Sequence, residues 1–117
     1  MRLGDKDYEP RYPIMSCISL ENVTGKSLFE LVDELRKGKV PGVGILSAMI
    51  WAGVLVDEPK ITLNEVTELL QDAKPGYFRH AYRECFEVLL AATSRLVIEE
   101  NGDSDEEKAE SEEPEKN

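Results

Sequence analysis

Apolar and polar residues recur along this chain in blocks of helical spacing, separated by glycine, proline and capping residues. From Ile14, the apolar positions Ile14, Cys17, Ile18 and Leu20 have rough helical spacing, and Gly25 after "NVT" supplies a stop. Ser27 and Glu30 form the capping-box pattern, in which a hydroxyl accepts from the third helical amide while the carboxylate reaches back. Leu28, Leu31, Val32 and Leu35 then repeat at i, i+3, i+4, i+7, with Asp33, Arg36 and Lys37 facing away and Gly38 as the stop. The third block is different. Val43, Leu46, Met49, Ile50 and Val54 cover most of a helix circumference, and no charge falls between Pro41 and Val56, so this helix is predicted to be buried on more than one side.

A second capping box, Thr62 with Glu65, opens a fourth helix with the stripe Leu63, Val66, Leu69 and Leu70, and "KPG" at Lys74 to Gly76 ends it. Phe78, Tyr82, Cys85, Phe86, Leu89, Thr93 and Leu96 predict a long last helix from about Tyr77 to about Glu99. The expectation is therefore an all-α fold, a small bundle of about five helices over residues 14–98. An irregular or short-strand segment containing Pro10 and Pro13 precedes it at 1–13. Residues 99–117 hold no large apolar side chain and are expected to form a disordered acidic tail, because they cannot bury enough surface to offset chain entropy.

Charge sharpens this division. The chain of 117 residues carries a formal charge of -10, but residues 99–117 hold ten acids against Lys108 and Lys116, leaving about -2 for the rest. The acidity belongs mostly to the appendage, which phosphate backbones and anionic lipid surfaces would repel. The longest apolar run, Val43 to Val56, is 14 residues, short of the roughly 20 that cross a bilayer. No basic stretch followed by an apolar one opens the chain, so a secretory signal is not expected. Cys17 and Cys85 both fall on apolar helical faces and are read as reduced, buried thiols.

The usual constellations of catalysis are missing. His80, the single histidine, lies five residues from Cys85, roughly 500° around a helix, so the two side chains point some 140° apart. A zinc site from Cys17, His80 and Cys85 would lack a fourth ligand, and the glycines of "GKVPGVG" lack the Lys and Ser or Thr of a phosphate loop. The adjacent acids Asp57 and Glu58 are read as solvated. Arg79, Arg83 and Arg95 lie amid tyrosines on the last helix, but Glu84 and Glu87 interrupt any basic stripe for nucleic acid. No metal, cofactor, nucleic-acid or membrane partner is expected, and no enzymatic activity.

Two stretches carry a resemblance. "LENVTGKSLFELVDELRKGK" followed by "LSAMIWAGVLVDEPKITLNEVTELL" resembles the tail-assembly chaperones of long-tailed bacteriophages, prophages and gene-transfer agents. The matching residues are Leu20, Glu21 and Thr24 to Leu31, then Trp51 to Gly53, Asp57 to Pro59, Thr62, Leu63, Glu65 and Val66; the likeness spans roughly residues 14 to 72. It implies a non-enzymatic protein of the host bacterial cytoplasm, not retained in the mature virion. Such a protein coats the long, helical tape-measure protein and helps recruit tail-tube subunits during tail morphogenesis.

Such a partner calls for an adaptable apolar groove, and helices 3 and 5 are the expected lining, with Met49, Trp51, Leu55, Tyr77 and Phe78 as candidate contacts. The same five residues also read as ordinary core. The resemblance further implies a longer frameshift product. Glu115, Lys116 and Asn117 can be encoded by GAA AAA AAC, which contains a slippery heptamer, and the acidic tail would then be a tether. Two other readings stay open: an acidic helical adaptor or regulatory module whose tail mimics nucleic acid or docks on a basic protein, and self-association into a homo-oligomer.

Overall fold

The computed structural model describes the backbone of residues 1–101 and the side chains as far as Leu96. The expected disordered tail and the Lys116 region lie outside the described residues, apart from the last turn of the final helix. Five helices follow a short hairpin: β1 (Arg2–Leu3), β2 (Lys6–Asp7), α1 (Ile14–Thr24), α2 (Leu28–Arg36), α3 (Val43–Val54), α4 (Leu63–Gln71) and α5 (Tyr77–Asn101). The fold is all-α, as the pattern of apolar positions predicts.

α3 is the centre of the bundle and packs against α1, α4 and α5. Its residues 46 to 50 and 52 to 54 are all buried, which is what a helix apolar around most of its circumference requires. α5 lays a line of small and branched residues on it, Ala81, Cys85 and Leu89, each 0% exposed. Phe78, Tyr82 and Phe86 flank that line and are half-buried. α5 continues past Glu99 to Asn101.

Local signals set most boundaries. Gly25 ends α1 in the left-handed region at φ 71, where a Cβ would be strained, and its N–H bonds the Glu21 carbonyl at 2.8 Å. At α4 the capping box forms as read: the Glu65 N–H donates to Thr62 Oγ1 at 3.1 Å and the Thr62 N–H to Glu65 Oε1 at 2.9 Å. At α2 it does not. Ser27 is the N-cap residue, but its hydroxyl makes no capping bond. The Glu21 carboxylate, folded back by the Gly25 turn, instead accepts from the Leu28 N–H at 2.7 Å. A carboxylate at a helix N-terminus gives a charge-assisted bond that also complements the helix dipole.

One further expectation is corrected. In α1 the buried side chains are Ser16, Cys17 and Leu20, whereas Ile14 and Ile18 face outward. Ile18 and Leu20 lie roughly 200° apart on a helix, so the four apolar residues cannot share one face. The segment 1–13 takes the short-strand form of the two expected for it, in the β1–β2 hairpin. After the hairpin, Tyr8, Pro10 and Tyr12 turn inward while Glu9, Arg11 and Pro13 stay exposed, forming an extended strap with strand periodicity. The strap crosses the end of α3, with the Arg11 N–H donating to the Gly53 carbonyl at 3.0 Å.

Candidate functional site

The strap meets the stretch between α3 and α4, "LVDEPKIT", in a set of polar contacts. Asp57 accepts from the Glu9 N–H at 3.2 Å and from Arg11 Nη2 at 3.1 Å. Glu58 accepts from Lys6 Nζ at 3.3 Å and, through its other oxygen, from the Tyr8 hydroxyl. Asp57 and Glu58 are solvent-accessible, as read, and are also fastenings for a strap some fifty residues away in sequence. On its other side the loop is held by Trp51, whose indole N–H donates to the Ile61 carbonyl at 2.9 Å. Exposed ion pairs contribute about 0.2–1 kcal/mol each, and full burial of a large apolar side chain about 1.5–3 kcal/mol. Burial of Tyr8 and Tyr12 therefore holds the strap, and the acids set its register.

These contacts shift the titration of both partners. Burial first, and then the Glu58 carboxylate, pushes the Tyr8 phenol up to about 12. The hydrogen bonds from Tyr8 and Lys6 hold Glu58 below the ordinary carboxyl value of 4.5. A group with a raised folded pKa stabilises the fold fully below its unfolded value. Tyr8's share is therefore lost as pH climbs from about 10 toward about 12. Glu58 has the opposite sign: its share is present above 4.5 and lost as pH falls through its lowered folded value. The urea midpoint of the protein is expected to fall in both directions. In a Tyr8→Phe variant the alkaline fall should shrink and the acid fall persist in weakened form; identical alkaline profiles for both proteins would contradict the contact.

The five residues singled out from the sequence do not converge on one patch. Met49 is 1% exposed and lies in the core, closed to solvent. Trp51 is half-buried and committed to the Ile61 carbonyl. Tyr77 is half-buried beside the hairpin, its hydroxyl accepting from the Arg2 N–H at 2.7 Å, and Phe78 stacks edge-on with Tyr82 at 5.6 Å. Leu55 lines a surface groove with Pro13, Met15, Ser19 and Pro59.

The open apolar surface is elsewhere. On α1, Ile14 is 61% exposed, Met15 71% and Ile18 42%. Single exposed apolar residues are ordinary, but three within two turns of one helix form a face. The groove of about 230 Å³ that includes Leu55 runs from Met15 to the loop after α3. Across the ridge of Pro13 and Val56 lies a second groove of about 450 Å³, floored by Tyr12, Val88, Ala91 and Ala92 and bordered by Arg11 and Arg95. Sequence reasoning noted only the rough helical spacing of Ile14, Cys17, Ile18 and Leu20; the surplus of apolar over buried positions in α1 was the available signal. Helix 3, expected as lining, contributes only from its C-terminal end.

Around His80 the arrangement is polar and open. His80 Nε2 sits 3.7 Å from Glu84, while Cys85 is fully buried and burial pushes its thiol up to about 12, away from the nucleophilic form. The two do not meet. Among the described residues no three His, Cys, Asp or Glu side chains group as metal ligands, and no helix is long and apolar enough to cross a membrane.

Comparison with protein-family models, curated proteins and solved structures finds no match to this chain.

Proposed function

We propose that this protein is a non-enzymatic tail-assembly chaperone of the long-tailed phage type, acting in the host cytoplasm by holding helical segments of a tape-measure protein and helping to deliver tail-tube subunits. The observation that carries the reading is the outward apolar face of α1, Ile14, Met15 and Ile18, which continues through Met15 into the groove beside Leu55. An amphipathic helix laid in such a groove buries its apolar stripe by the same packing that holds the bundle together.

The residues of the resemblance support it in a particular way. Leu20, Leu28 and Leu31 are core, Gly25 is a helix stop, Gly53 receives the strap, Asp57 and Glu58 fasten it, and Thr62 with Glu65 caps α4. The shared pattern is one of scaffold. The exposed α1 face that would meet a partner, Ile14, Met15 and Ile18, lies on positions the pattern leaves free, while Pro59 of the pattern borders the groove.

The test is co-expression with the long coiled-coil-rich protein encoded just downstream, followed by co-purification. The wild-type chain should recover that partner. A Met15→Glu, Ile18→Glu double variant changes only exposed positions, so it should keep a native circular dichroism spectrum and lose recovery by about tenfold or more. Failure of the wild-type chain to form any complex would sink the reading and favour an acidic adaptor acting through its tail.

A further inference from the structure

Charge is distributed unevenly around the larger groove. Its floor is apolar, formed by Tyr12, Val88 and the small residues Ala91 and Ala92 beside the ridge of Pro13 and Val56, while both charged residues that line it are arginines. Arg11 comes from the strap, where Asp57 uses one of its nitrogens, and a guanidinium has five N–H donors in all. Arg95 comes from α5, exposed, one turn beyond Ala91 on the same side. Small residues on a helix floor admit the backbone of another helix, and two cations at the rim select what flanks its apolar stripe.

We infer that this groove is a docking site for an amphipathic helix whose apolar stripe is bordered by acidic residues. The inference rests on the chaperone reading and deepens it, because it names the chemistry of the tape-measure segment that would be held. Charge complementarity at Arg95, together with the N–H donors that Arg11 keeps beyond its ion pair with Asp57, favours this occupant even though the chain as a whole carries -10. The chain's own acidic tail meets the charge requirement but brings no large apolar residue to fill the floor. A basic-flanked helix would be drawn by the overall charge and repelled at the rim.

The opposition between local and overall charge makes the test decisive. Two synthetic helical peptides of about 14 residues, four turns, would share one leucine stripe at i, i+3, i+4, i+7 and carry either glutamates or lysines beside it. Titration into the full-length protein, read by NMR shifts of the Val56, Val88, Ala91 and Ala92 methyls, should give roughly five- to tenfold tighter binding of the glutamate peptide. Arg95→Glu is expected to abolish or reverse that preference, and Ala91→Trp, which fills the floor, to remove binding of both peptides.

Stronger binding of the lysine peptide, or shifts confined to Ile14 and Ile18, would overturn the assignment. So would binding of the glutamate peptide only to a full-length variant whose tail acids are replaced by amides, since the tail would then be the occupant. A concentration-dependent dimer dissociated by Ala91→Trp would instead make a second copy the occupant, and the inference would equally fall. If Arg95→Glu and Ala91→Trp both leave recovery of the downstream partner intact while the α1 double variant loses it, the chaperone reading stands and this groove does not.

Discussion

Tyr12→Ala is expected to lower the unfolding free energy by about 3 to 5 kcal/mol, the usual cost of emptying a large aromatic site in a core. Domains of this kind are stable by only about 5–15 kcal/mol, so the variant should lose a large fraction of its stability. The side chain is 4% exposed, and its hydroxyl donates to the Met49 carbonyl at 2.6 Å inside the bundle. Alanine would leave a void between the strap and α3 that neither element can close, because the Arg11 N–H and the Asp57 carboxylate keep the strap in register. Tyr12→Phe keeps the ring and removes only the hydrogen bond, for about 0.5–1.5 kcal/mol. Urea denaturation followed by circular dichroism separates the two, and a cost below about 1 kcal/mol for the alanine variant would show that the strap is not part of the core.

That Tyr12 matters so much was hidden in the sequence. "YEPRYP" contains two prolines and alternating charges, and such a segment reads as a loop until the period of two over Tyr8, Pro10 and Tyr12 is matched to a surface for it to cover. The helices were legible because their signals are local. Gly25, Gly38 and the Thr62–Glu65 box act within a few residues of the boundary they set, and the apolar circumference of α3 announces its burial whatever surrounds it.

What required the structure was every relation between distant segments. Glu21 and Ser27 both lie near the start of α2, and only the structure shows that the carboxylate is the acceptor used, at the Leu28 N–H. Asp57 and Glu58 look like a solvated acidic loop because their donors, Lys6, Tyr8, Glu9 and Arg11, lie near the other end of the domain. The candidate contacts are scattered in the fold for a related reason. Aromatic and methionine residues were sought near the ends of helices 3 and 5, where Met49 proves to be core and Trp51 holds a loop. A helix with apolar residues on two faces, such as α1, has one face more than its own bundle needs, and composition alone does not say which is spare.

Gly53→Val is expected to lower stability by about 3 kcal/mol, at the upper end of the usual range for overpacking. Two effects compete at this position. Glycine is the poorest ordinary helix former, so any replacement inside α3 gains a few tenths of a kcal/mol or more in propensity. Against this, a Cβ at Gly53 would lie 2.8 Å from the Tyr12 hydroxyl oxygen, 3.0 Å from the ring carbon bearing it and 3.3 Å from Pro10 Cβ. Those neighbours cannot step aside cheaply: the hydroxyl is tied to Met49, and Pro10 sits in the strap one residue before Arg11, whose N–H bonds the Gly53 carbonyl. Packing therefore wins, and the two extra methyls of valine make the conflict larger than alanine would. Gly53→Ala should cost less, and combining it with Tyr12→Phe should cost less than the two single changes added together, since the closest contact is then gone. A neutral Gly53→Val would mean that the strap lifts from α3 at little cost. Because Tyr12 and Pro13 line the groove beside Val56, the bound peptides would then have to be read against a floor that moves.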